Sequence, residues 1–422
     1  MVDNTLKAKL ALDTFNRNHS IDSLRVFLVV IVVIFHVAQS FGYNSVFYWV
    51  IADNSPSLPL VWFRFISHSF MMPLFFLISG FSAEPLLQKL GVVGFTRNRI
   101  KRVLVPFIVS WLLIYPLVVF LSLVGASKSG YWDALGVPFA LRSIPPWQLT
   151  IGFFLKLQVL QKFSFIHLWF LYQLLVLYVL TLLTFFISQW LGSKQNKYFL
   201  WVNWLFHRVL NSPWKLLWFA IITMPLLYLQ HSRFLDTPDK ALIPELSASL
   251  LYGLFFCTGW IISRQPKFLC SVSKYWSWHL MLGLLLIMPS GGYEVTTWMH
   301  LPLESYKPSY GWMRFITKGA YALMMWSFVV GFLGFFLRYR SGESVAWRYL
   351  ADASYWWYII HFPLVLGLQI WVAFWPVFWG IKFLMINLIV FSFLLFTYHY
   401  LVRSTFIGQQ LNGRKYPLKS IL

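Results

Sequence analysis

Residues 26–43 read Val-Phe-Leu-Val-Val-Ile-Val-Val-Ile-Phe-His-Val-Ala-Gln-Ser-Phe-Gly-Tyr, a run with one imidazole and no acid, lysine or arginine. About 20 mostly apolar residues are what a helix needs to cross the hydrocarbon of a bilayer. The run does not alternate as a barrel strand would. A lone backbone in hydrocarbon must satisfy its own hydrogen bonds, so the run is read as a transmembrane helix. Runs of the same kind recur near 58–83, 103–124, 168–189, 214–230, 246–263, 275–290, 317–338, 355–374 and 379–402. The expected fold is therefore all-α: a polytopic membrane bundle of about ten transmembrane helices.

The composition of the 422 residues agrees. Hydrophobic residues make up 59% and charged residues 11%, against roughly 45–50% and 25% in soluble domains. The net charge of +21 would suggest nucleic acid on a soluble chain. Here the basic residues sit in short segments between apolar runs, where they set topology and meet lipid headgroups, so no nucleic-acid partner is expected. With the N-terminus in the cytoplasm, the inner segments carry 23 Lys and Arg and the outer segments 10, counted along the sequence. An even number of spans then puts both termini on the cytoplasmic side. This divides the chain into a segment 1–20, a transmembrane region 21–403 and a tail 404–422. No cleavable signal is expected. Cys257 and Cys270 are in no metal-like spacing and read as free thiols. Two outer loops, near 125–167 and 290–316, are long and rich in Trp and Tyr.

Ionisable groups inside spans usually face the bundle interior, which makes each a functional candidate. Asp22 and Arg25 are three apart and share a helix face. Arg25 and His36 are eleven apart, which leaves them within roughly 20° of one face and about 16 Å apart along the axis. A stripe from a fixed cation to a titratable base follows. Asp22 and Arg25 also suit a structural pair, and His36 also suits a bond to a neighbouring helix; a general base is the second reading of that imidazole. Arg64, His68 and Glu84 stand in or beside the second span. Ser79-Gly80 between them suits close helix packing. The stretch Arg97 to Arg102, before Pro106, reads as a cytoplasmic loop whose cations could also hold phosphates. His167 opens the fourth span at the outer interface. His361 lies within the ninth, where Pro363 frees a backbone carbonyl and can kink the helix. No HExxH or similar spacing is present, and no metal is expected.

Taken together, Ile21 to Arg25 followed after ten residues by His36, Met72 to Phe81 with its Ser79-Gly80, and Arg99 to Pro106 resemble the membrane acyltransferase-3 family. His68-Ser69-Phe70, His167-Leu168-Trp169-Phe170-Leu171 and Ala353-Ser354 through His361 and Pro363 are similar to its glucan-modifying branch. The resemblance covers nearly the whole chain. It implies an acyltransferase of the cell inner membrane that takes an acyl group from cytoplasmic acyl-CoA. The acceptor would be a hydroxyl of a periplasmic glucan or other polysaccharide. No permanently bound cofactor is implied, and succinyl or acetyl is the expected group. His36, Arg25 and Asp22 would then be catalytic; Arg99, Arg102 and Ser79 would bind the donor; His68, His167, His361 and Glu84 would line the path or meet the acceptor. No periplasmic hydrolase-like domain is expected after the spans, so any second transfer step would occur in the bundle or on another protein. The alternatives are a transporter or flippase of a sugar-lipid or small solute with a histidine relay, and a structural partner in a glycan assembly complex.

Overall fold

The computed structural model describes residues 19–43, 45, 49–160, 162–191, 204, 206–230, 235–240, 242–300 and 311–417. The expected N-terminal segment lies outside them save for His19 and Ser20, as do Lys194, Lys197, residues 301–310 of the second long loop and residues 418–422 of the tail. Among the described residues there are helices and no strand.

The helices are α1 (His19–Ala38), α2 (Leu58–Arg99), α3 (Val105–Ser129), α4 (Pro146–Leu155), α5 (Trp169–Leu191), α6 (Lys215–Tyr228) and α7 (Leu246–Ile262). They continue as α8 (Pro266–Lys274), α9 (Trp276–Leu285), α10 (Ile287–His300), α11 (Gly311–Tyr339), α12 (Val345–Val372), α13 (Trp379–Thr397) and α14 (Phe406–Asn412). Among the described residues, six helical stretches are long and apolar enough to cross a membrane, or seven if the bent pair α7–α8 counts as one. One stretch, Leu58–Ser129, has 72 residues, about 108 Å at 1.5 Å per residue, more than a single crossing needs. The protein is a multi-pass, all-helical membrane protein. Two expected spans look different in the structure. α6 has 14 residues, about 21 Å, and the run 275–290 is divided between α9 and α10. α8 leaves α7 at 107°, with Pro266 at its first turn, where a missing N–H is harmless.

The expected cytoplasmic loop at Arg97–Arg102 is instead helical. α2 passes Gly91, whose φ of 64° breaks the regular ladder, and runs on to Arg99. A π-helical turn, Ile100–Leu104, joins it to α3. Such turns widen a helix by one residue and are frequent at functional sites. A second π turn, Tyr398–Val402, follows α13.

α1 sits against α12, α2, α11 and α13, and α2 makes its most extensive packing with α7. That last contact is backbone on backbone. A Cβ on Gly80 would overlap the Phe256 carbonyl, and one on Gly259 would overlap the Leu77 carbonyl. Two glycines are thus the condition of the close approach. Glu84 lies one turn beyond Gly80. It accepts from Ser263 Oγ at 3.2 Å and forms an ion pair with Arg264, so it ties α2 to the end of α7. We expect Gly80→Leu to force α2 and α7 apart and to destabilise the bundle by about 1–3 kcal/mol or more. Thermal unfolding in detergent would read this as a lowered midpoint.

Candidate active site

α1 places Asp22, Arg25 and His36 on one face, as their spacing predicts. Arg25 Nη2 lies 3.0 Å from Asp22 Oδ1. The same guanidinium reaches α12, donating from Nη2 to the Ala351 carbonyl at 3.1 Å and from Nε to Ser354 Oγ at 3.3 Å. Ser354 and His361 are seven residues apart on α12, two turns along one face, so that helix runs a stripe parallel to the one on α1.

The two stripes meet at their imidazoles. His361 Nδ1 lies 3.0 Å from the Trp357 carbonyl and 2.8 Å from the Tyr358 carbonyl. Carbonyls only accept, so Nδ1 of His361 carries the proton and its Nε2 holds a lone pair. That lone pair is 3.1 Å from His36 Nδ1, which is also 2.9 Å from the Val32 carbonyl. His36 Nδ1 is therefore the donor to both, and the basic nitrogen of His36 is Nε2. His36 lines a cavity of about 1500 Å³. His361, fully buried, stands behind it and does not line the cavity. Gln369 fixes the backbone at this point, donating to the carbonyls of His36 at 2.9 Å and Val37 at 3.0 Å. It accepts in turn from Trp49 Nε1 at 2.9 Å.

His167 joins the cluster from the start of α5. Pro363 has no N–H, so the Ile359 carbonyl lacks its helical donor. His167 Nε2 takes that place at 3.0 Å, and Tyr358 Oη donates to the His167 carbonyl at 2.6 Å. Nε2 of His167 thus carries the proton. Its Nδ1 is a buried lone pair with no partner among the described residues, on a ring that lines the cavity. Phe362 stacks on it with centroids 4.8 Å apart. His68, also lining the cavity, is stacked on Phe35 at 5.7 Å.

Arg99 and Arg102 line the cavity at the end where α1 begins. Arg99 donates to Tyr178 Oη at 3.1 Å and to Asn98 Oδ1 at 2.8 Å, with its guanidinium over the Tyr178 ring. Tyr355 Oη donates to the Arg102 carbonyl at 3.0 Å. Neither arginine forms an ion pair with a carboxylate of the described residues, so two guanidiniums face one cavity uncompensated. Ser79 also lines the cavity, but its hydroxyl donates to the Phe75 carbonyl of its own helix at 2.7 Å. Lys162, Asp239, Lys240 and Tyr131 line the cavity at the opposite end. Asp239 Oδ2 accepts from Ser164 Oγ at 3.0 Å, and burial pushes its carboxyl above the usual range.

Of the ten residues singled out from the sequence, Asp22, Arg25, His36, His68, Ser79, Arg99, Arg102 and His167 share this cavity. His361 acts on it through His36, and Glu84 stands apart in its pair with Arg264. Sequence reasoning gave no role in the site to Gln369, Trp49, Ser354, Tyr178 and Asp239. Only Ser354 had a local signal, its seven-residue spacing from His361. Among the described residues no three His, Cys, Asp or Glu side chains are placed to hold a metal ion.

A helical membrane bundle whose cavity joins unpaired guanidiniums to an oriented imidazole is suited to transfer of an activated group. Comparison with known proteins gives the class. The profile of an acyltransferase domain, that of the acyltransferase-3 family, matches residues 18–398, and the chain belongs to this family of acyltransferases. It is similar to glucans biosynthesis protein C of Escherichia coli (strain SMS-3-5 / SECEC), 23% identical over 357 residues, which are 83% of this chain and 82% of the relative. The protein of the same name from Shigella dysenteriae serotype 1 is 24% identical over 358 residues, again 83% and 82%. That of Salmonella paratyphi B is 27% identical over 181 residues, 43% of this chain and 41% of the relative. No solved structure matches.

Proposed function

We propose that this chain moves an acyl group, succinyl or acetyl, from cytoplasmic acyl-CoA to a hydroxyl of a periplasmic glucan across the cell inner membrane. It would do so with ten spans and both termini in the cytoplasm. The observation that carries the reading is the free Nε2 lone pair of His36, held on the cavity wall by the proton arrangement of His361. In this reading Arg99 and Arg102 bind the donor's phosphates. The acceptor enters from the end lined by Lys162, Asp239 and Lys240, and the aromatic outer loops stack on its sugar rings.

His36 Nε2 removes the proton of the acceptor hydroxyl as its oxygen attacks the thioester carbonyl. Arg25, oriented by Asp22, Ser354 and the Ala351 carbonyl, supplies positive charge on the same wall. Collapse of the tetrahedral intermediate breaks the C–S bond. The departing thiolate takes the proton from the His36 imidazolium, which restores the neutral imidazole. His167 Nδ1 accepts a hydrogen bond from a second sugar hydroxyl.

The test is acyl transfer by the purified protein in detergent, with succinyl-CoA or acetyl-CoA and a periplasmic-type glucan. Free thiol should appear in step with acylated glucan, read by mass spectrometry. Neither product with either donor would overturn the reading. Movement of a glycan or lipid across vesicles without thioester cleavage would favour the transporter or flippase instead.

A further inference from the structure

We propose that the segment after α13 completes the donor-phosphate site, with Gly413 as the seat that positions the Arg102 guanidinium. This rests on the acyl-transfer reading above. α14 lies beneath the π turn that carries Arg102. Gln410 Nε2 donates to the Lys101 carbonyl at 2.6 Å, and Leu411 and Asn412 line the same cavity as Arg99 and Arg102. α14 ends at Gly413, whose φ of 80° is left-handed and whose N–H donates to the Gln409 carbonyl at 2.8 Å. A Cβ at this glycine would overlap the guanidinium of Arg102. The chain then folds back. Tyr416 N donates to the Arg403 carbonyl at 3.1 Å, and the buried Arg403 guanidinium lies over the Tyr416 ring.

Two requirements therefore meet at one residue. The left-handed turn favours glycine or asparagine, and any side chain there would have to push the Arg102 guanidinium off its seat. A cap needs only the first. The second is explained if the direction of Arg102 matters, because a guanidinium must present its donors in one plane to hold phosphate oxygens. A lysine-like point charge would tolerate a looser seat. The ligand class is a soluble, multiply phosphorylated thioester donor. An anionic lipid headgroup shares the phosphate chemistry, and the experiment separates the two.

Gly413→Asn keeps the left-handed turn and adds the Cβ. We expect it to raise KM for acyl-CoA about tenfold, the scale of a hydrogen bond to a charged group, with kcat and KM for the glucan within about twofold. Arg102→Ala should do the same. The double variant should be no worse than Arg102→Ala alone, because both act on one contact. Each is assayed in nanodiscs of phosphatidylcholine alone and with phosphatidylglycerol added. Additive losses, or an unchanged KM for acyl-CoA in both single variants, would overturn the proposal. So would a KM shift confined to anionic nanodiscs, which would assign the seat to lipid. If the unaltered protein transfers no acyl group, the acyl-transfer reading itself fails; normal transfer with an unmoved KM removes only the seat.

Discussion

Replacing His36 by alanine is expected to slow acyl transfer to the glucan by about 10²–10⁴-fold, the range of a positioned general base, while the protein accumulates and unfolds normally. The expectation follows from the two faces of the ring. Nδ1 is engaged by His361 and the Val32 carbonyl, so the proton can be taken only at Nε2. Alanine removes that nitrogen and leaves the bundle contacts of α1 largely intact. The effect should fall on kcat, with little change in KM for acyl-CoA, since the proposed reading assigns the donor's phosphates to Arg99 and Arg102 and not to His36. His361→Asn gives the companion result. It leaves His36 in place but unfixes its tautomer, and loss of an orienting partner can lower kcat by up to about 10⁴-fold. Because His361 acts only through His36, the double variant should match His36→Ala alone. Normal acylation by His36→Ala at normal protein levels would remove the mechanism.

The second large effect concerns stability. Lys382 of α13 is fully buried and bonds both carboxylate oxygens of the buried Asp53, at 2.9 and 3.1 Å. It also donates to Asn54 Oδ1 at 2.7 Å and to the Ala373 carbonyl at 3.3 Å. The pair pins the loop between α1 and α2 to the end of α12. Lys382→Met should destabilise the protein by about 3–5 kcal/mol, because it strands a buried carboxylate. Asp53→Asn with Lys382→Met should recover most of this. The pH dependence has a definite sign. Burial already pushes the Asp53 carboxyl above the usual carboxylate range, and Lys382 pulls it back. Without the lysine it rises further, so the folded single variant binds this proton more tightly than the unfolded chain does. Its stability is then greatest at acid pH and falls as pH rises through the raised folded value. Thermal midpoints at pH 5 and pH 8 check this; equal deficits at both would contradict it.

The long helices were legible because an apolar run of span length has few other solutions. The short ones were not. α6 and the divided α9–α10 have the hydropathy of spans, and hydropathy carries no information about a break at Leu286. Arg97–Arg102 looked like a loop because its cations interrupt the apolar pattern. The chain stays helical there because no proline stands between Pro85 and Pro106, and the π turn absorbs the irregularity. In the site, what lies on one helix could be read: three- and eleven-residue spacings placed Asp22, Arg25 and His36 on one face. What joins helices could not be read. His36 and His361 are 325 positions apart, and no local pattern announces their contact. Glu84 shows the opposite error. A carboxylate in an apolar run invites a functional role, yet its partner Arg264 lies 180 positions away and holds it at a helix crossing.

The cavity reaches both ends of the bundle, so the protein must also insulate. A bilayer that stores an ion gradient cannot carry a water-filled bore without discharging it. Here the rings of Phe362 and Phe35 lie face to face with His167 and His68. Threads of water break where a passage is walled by apolar surface. The stacked rings that hold two imidazoles in place also give the wall of the cavity apolar surface at mid-bundle, where a thread of water is hardest to sustain.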